Sequence, residues 1–98
     1  MNTAICDAIR DGEIIEFEYD GLVKIVEPFC YGVGIDGEEL LRGYVIGGFR
    51  DVLNQEYSWN LFKVSHMGTI QFIGKKFTAI RAGYDKEDKD MKTIYCSF

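Results

Sequence analysis

The chain has 98 residues, 47% apolar and 14% aromatic, with 16 acids against 11 bases and a net charge of −5. That length accommodates one domain, residues 1–98, and the mixing of charges with Ile, Val, Phe and Tyr excludes a disordered chain. No run of about 18 apolar residues occurs, which excludes a membrane-spanning helix, and the acidic balance argues against general nucleic-acid binding, because phosphate repels such a protein unless a basic face dominates.

Ile5, Ala8 and Ile9 stand at i, i+3 and i+4, the spacing of one helix face. Asn2 or Thr3 can cap the start of this helix, and Gly12 can take the left-handed conformation that ends it. Two helical turns do not persist alone in water, so the helix is expected to lie as a lid over an open barrel end. The preceding Met1–Asp7 stretch has neither a basic start nor a long apolar run, and no secretory leader is expected.

Glu13–Tyr19 alternates, with Ile15, Phe17 and Tyr19 facing one way and Ile14, Glu16 and Glu18 the other, the pattern of a half-buried strand. Asp20-Gly21 is a tight-turn pair, and Leu22–Val33 is the returning strand. Pro28 cannot donate to a ladder, so it marks an edge, bend or bulge where the strand can pass between two sheets. Asp36-Gly37 turns the chain again, and Leu40–Ile46 is a third strand ended by Gly47-Gly48. A polar connection, Phe49–Glu56, leads to a fourth strand, Tyr57–Met67. Thr69–Ala82 carries a fifth strand and its approach. Gly83–Lys92 is a charged run expected to be a solvated loop. Thr93–Phe98 returns to strand character and is expected to pair with a sheet edge, in its own barrel or a neighbour's.

Cys6, Cys30 and Cys96 are odd in number and widely spaced, without a Cys-x-x-Cys pair. Buried thiols in a reducing cytoplasm are the expectation, and zinc or thioredoxin-type chemistry is not. The charge is segregated. Residues 1–56 hold twelve acids and four bases, a balance of −8, and residues 57–98 hold four acids and seven bases, a balance of +3. Residues 57–84 contain Lys63, Lys75, Lys76 and Arg81 and no acid, which can focus an anion on one face. Chance combined with the exclusion of acids from buried strands accounts for the same pattern.

Three segments in fixed order carry a family resemblance: Lys24-Ile25-Val26-Glu27-Pro28, then Gly37-Glu38-Glu39-Leu40-Leu41-Arg42-Gly43-Tyr44, then Phe62-Lys63-Val64-Ser65-His66-Met67. With Ala8-Ile9 closing a helix and Tyr19 closing the first strand, the order over residues 4–77 resembles the WYL domain of bacterial regulators. Leu41 alone matches the Trp-Tyr-Leu triplet, Tyr44 keeps the aromatic three positions on, and Lys63 and His66 stand where the family has arginines. The resemblance implies a mainly β fold, a small SH3-like barrel of about five strands with a short N-terminal helix and a C-terminal strand. It also implies a non-enzymatic, cytoplasmic ligand-sensing module for transcription regulation. Such a module would bind a nucleotide, an oligonucleotide or another small anion.

Lys63, His66, Arg42, Tyr44 and Arg50 are the ligand-binding candidates. Lys63 is charged throughout, His66 charges below about pH 6.5, and Arg42 and Arg50 flank the third strand. Tyr44, with Tyr31, Tyr57 and Trp59, can stack on bases or fill the core. His66 is the only histidine, no nucleophile–base spacing occurs, and no catalytic residue, metal or cofactor is expected. The chain has no helix-turn-helix, so control of transcription would need a DNA-binding partner protein. A second reading is a structural interaction module that forms a homodimer or pairs through a barrel edge and the C-terminal strand.

Overall fold

Asn2 caps the first element. Its side-chain oxygen accepts from the backbone N–H groups of Ala4 and Ile5, at 3.0 and 3.3 Å. Helix α1 therefore starts at Thr3, and it runs to Asp11 before Gly12 ends it at φ +66°. The computed structural model describes residues 2–48 and 56–98. Among these, six strands follow the helix: β1 (Glu13–Tyr19), β2 (Leu22–Gly34), β3 (Glu39–Gly47), β4 (Ser58–Lys63), β5 (Gln71–Lys76) and β6 (Met91–Ser97). Of the expected connection at 49–56, only Glu56 lies within the described residues.

The strands run in the order β4-β3-β2-β1-β5, every neighbour antiparallel, and β6 pairs separately with β2. The fold is mainly β with a short N-terminal helix and a C-terminal strand, as expected, and the fifth strand pairs back beside the first. β2 is the axle of the sheet. Its first half pairs β1 through Leu22–Val26, its second half pairs β6 through Cys30–Gly34, and β3 runs along its other edge.

Pro28 and Phe29 are the reason one strand can do this. In the β2–β3 ladder Pro28 faces Gly43 and Cys30 faces Arg42, so Phe29 is an extra, bulged residue. Val26 and Tyr31 are five positions apart, a separation that simple alternation would send to opposite faces. Both nevertheless lie in one core with Ile5, Ile9, Ile15, Phe17, Leu41 and Phe62. The bulge supplies the change of parity. Phe29 itself, three positions from Val26, lies on the other face, where its ring meets Trp59, Phe77 and Tyr84, each at 5.0 Å, and Phe98 at 5.4 Å.

That second face is covered by the chain from Phe77 onward, so the charged run Gly83–Lys92 is not merely a solvated loop. Tyr84 stacks on Trp59 with the ring planes 17° apart, and its hydroxyl donates to the Phe98 carbonyl at 3.1 Å. Asp88 is buried against Arg42. Its neighbours Glu87 and Lys89 point to water, so the solvated reading holds for them and fails for the two anchors.

Two further expectations are corrected. The fourth strand stops at Lys63 instead of Met67, because Val64–His66 forms a 3₁₀ turn closed by the Met67 N–H donating to the Val64 carbonyl at 3.1 Å. Cys6 and Cys96 are not thiols: they form a disulfide between α1 and β6, with Cα atoms 5.8 Å apart. Spacing along the chain could not show this, since the two residues meet only when β6 lies on β2 beside the helix. Cys30 is the buried thiol, fully enclosed and next to the Met91 thioether at 3.6 Å. Burial, chiefly, pushes it up to about 11.

Candidate functional site

β3 alternates between the two faces. Leu41, Gly43 and Val45 face the first core. Arg42 and Tyr44 face the other side, opposite Leu61 and Trp59 of β4. Two of the five candidate residues therefore share one surface, and the chain from Phe77 to Asp90 crosses it.

Arg42 is engaged there. Its Nε donates to Asp88 Oδ2 at 2.8 Å, its Nη2 donates to Asp88 Oδ1 at 3.3 Å, and Nη2 also meets Asp90. The hydrogen bond to Asp88 is the largest cause of a raised Arg42 pKa. On Asp88, burial pushes the carboxyl up, but the Arg42 hydrogen bond, the Asp90 backbone N–H and the Arg42 charge together hold it below the usual value.

Tyr44 forms the floor of a hollow of about 570 Å³ whose rim is Lys76–Ala82. The Arg81 guanidinium lies over the Tyr44 ring at 4.7 Å and near the Tyr57 ring at 5.9 Å. Arg81 is fixed from behind: its Nε and Nη2 donate to the two carboxylate oxygens of Glu27 at 2.8 and 2.9 Å. Glu27 is buried, whereas 36% of the Arg81 side chain remains exposed. Lys76, on the same rim, is 64% exposed and 3.8 Å from Glu13. A planar cation held edge-on by a buried carboxylate, with a tyrosine face beneath it and a lysine at the rim, can meet an anion that carries a planar group.

The remaining candidates lie elsewhere. Lys63 ends β4, its ammonium 3.4 Å from Glu38 and its backbone N–H donating to the Tyr19 hydroxyl at 3.1 Å. His66 sits in the 3₁₀ turn, its ring 6.3 Å from that of Tyr19, on a separate hollow of about 700 Å³ whose wall carries Glu16, Glu18 and Asp20. Arg50 lies outside the described residues. The structure thus joins Arg42 with Tyr44 and sets His66 apart from them.

The basic segment 57–84 is spent largely on the acidic half of the chain: Lys63 on Glu38, Lys76 on Glu13, Arg81 on Glu27. In the sequence Arg81 stands out only as part of that basic segment, and Glu27 is not among the candidate site residues. The available signal was an acid inside the apolar run Ile25-Val26-Glu27-Pro28-Phe29, where a carboxylate needs a partner. Among the described residues, no group of three His, Cys, Asp or Glu side chains is placed to hold a metal, and no helix is long and apolar enough to cross a membrane. Comparison of the chain with protein-family models, with curated proteins and with solved structures finds no match.

Proposed function

We propose that this chain is a non-enzymatic ligand-sensing module that takes a small anionic or nucleotide-like ligand and passes its bound state to a partner, a DNA-binding protein in the WYL manner. The observation that carries this reading is the Glu27–Arg81–Tyr44 arrangement. The guanidinium is oriented before any ligand arrives, part of it faces solvent, and aromatic faces and Lys76 stand beside it. Preorientation lowers the ordering cost of binding, and Arg over an aromatic face suits a phosphate joined to a planar base. In this reading the ligand binds at Tyr44, Arg81 and Lys76, away from Lys63 and His66. A cytoplasmic setting belongs to the same proposal, and there a disulfide is open to exchange.

Thermal-shift measurements against nucleotides, cyclic and linear oligonucleotides and short single-stranded DNA test it. Ligand at about tenfold above its Kd should add about 1.4 kcal/mol, or roughly 5–10 °C in Tm. Lys76→Ala should abolish the shift and Lys63→Ala should keep it. No shift with any anion defeats the reading.

One observation favours the interaction-module alternative. β4 is an outer strand of the sheet path and carries exposed Leu61, with exposed Tyr57 just before it. Strand addition at that edge would extend the sheet. Light scattering on the purified chain, with Leu61→Lys as the variant that should dissociate any such dimer, separates this reading from the first.

A further inference from the structure

The Cys6–Cys96 bond ties α1 to β6 across 90 positions of sequence. Both residues are partly exposed and open onto a groove of about 580 Å³ between Arg10 and Tyr95. A small dithiol can therefore reach the bond from solvent. Cys30, in contrast, is sealed and its thiol is pushed up to about 11 by burial, so it is poorly placed to compete in exchange.

The middle of β6 is lightly packed. β6 has β2 as its one strand neighbour among the described residues, and that ladder shifts register twice, between Tyr31 and Gly32 and between Val33 and Gly34. Lys92–Tyr95, the middle of β6, is exposed. The firm anchors just before it, Tyr84 on Trp59 and Asp88 on Arg42, belong to the preceding segment and do not depend on the disulfide. Met91 against Cys30 and the Phe98 ring against Phe29 and Phe77 pack the two ends of this stretch, and the disulfide ties the lightly packed strand between them to α1.

Loss of β6 would bare the Cys30–Gly34 edge of β2, and that edge has a specific shape. A Cβ on Gly32 would lie 2.1 Å from the Thr93 carbonyl oxygen, so the two backbones meet where only glycine allows it. Met91 fits against Cys30, and the Phe98 N–H donates to the Phe29 carbonyl at 2.7 Å. The segment that fills this edge is β6, and a second copy of the chain carries the same segment.

We infer that Cys6–Cys96 is a redox latch: reduction by a dithiol releases β6 and lets two copies exchange their β6 strands. One reductant thiolate attacks one protein sulfur and displaces the other as a thiolate. The second reductant thiol then displaces the first protein sulfur, closing the reductant into a cyclic disulfide. Two electrons pass to the protein, which ends with two thiols. In the exchanged pair each Cys96 lies beside the other copy's Cys6, so reoxidation would close two bonds between chains. This latch does not depend on the anion site.

The test uses the full chain before and after dithiothreitol, followed by hydrogen exchange and light scattering, then reoxidation of a concentrated mixture of isotope-labelled and unlabelled chains. Reduction should speed exchange at residues 91–97 by about 100-fold or more, the scale on which one disulfide acts. β1, β2 up to Phe29, and β3 should keep their protection. Dimer should grow with protein concentration, and reoxidation should give mixed-isotope Cys6–Cys96 peptides. Cys96→Ser should reproduce the loosened strand without reductant. Unaltered protection of 91–97 after reduction, loss of protection throughout the chain at once, or reoxidised bonds found only within chains would each overturn the inference.

Discussion

Arg81→Ala isolates the pair that organises the candidate site. Glu27 is 4% exposed, and both its oxygens accept from Arg81 at 2.8 and 2.9 Å. Removing one member of a fully buried pair costs about 3–5 kcal/mol, most of it the burial of an unpaired charge. Here 36% of the Arg81 side chain meets water, and solvent screening brings that figure down to about 2–3 kcal/mol. Losing the contact with the Tyr44 ring at 4.7 Å adds about 0.5–1 kcal/mol. The total, about 3 kcal/mol, is a large share of the 5–15 kcal/mol that stabilises a domain of this size. It corresponds to a fall of about 12–24 °C in Tm. Urea unfolding of the wild type, Arg81→Ala, Glu27→Gln and the double variant forms a closed cycle. The expected coupling is at least about 1.5 kcal/mol, with the double variant more stable than Arg81→Ala because no charge is stranded. A cost below about 1 kcal/mol with no coupling would show that water reaches Glu27 and that the pair belongs to the surface. The Arg81 guanidinium would then not be held in place before a ligand arrives.

Three further outcomes follow from the fold. Asp88 titrates below the usual aspartate value, so its contribution is complete above about pH 4 and is lost as pH falls through the depressed value. Unfolding followed from pH 6 down to about pH 2 should show a smaller acid loss in Asp88→Asn than in the wild type, and equal losses would refute the assignment. Gly32→Ala drives a methyl group into the Thr93 carbonyl and should cost about 1–3 kcal/mol, with β6 losing hydrogen-exchange protection before β3. Asn2→Ala removes the acceptor for two backbone N–H groups and should cost about 1 kcal/mol, read as a drop of about 4–8 °C in Tm; an unchanged Tm would mean that α1 needs no cap.

Local rules carried far along this chain. Ile5, Ala8 and Ile9, with Asn2 before them and Gly12 after, define α1 because capping and helical spacing are properties of a few adjacent residues. Alternation over Glu13–Tyr19 and the turns at Asp20-Gly21 and Asp36-Gly37 determined β1, β2, β3 and their antiparallel order for the same reason. Pro28 announced the irregularity in β2, since a residue without an N–H cannot sit in an unbroken ladder.

What neighbours in sequence cannot encode is which distant side chains meet. The bulge at Phe29 changes the facing of every later residue in β2 and so brings Tyr31 into one core with Val26, while the Phe29 ring on the second face gathers Phe77, Tyr84 and Phe98. The three pairings that redefine the site and the chain end, Glu27 with Arg81, Arg42 with Asp88 and Cys6 with Cys96, span 54, 46 and 90 positions. Each residue type hinted at a need: a buried acid wants a cation, an arginine wants a carboxylate, a cysteine can find another. The partner in each case was selected by the geometry of the folded sheet, because charge pairing and sulfur bonding act over a few ångströms of space without regard to distance along the chain.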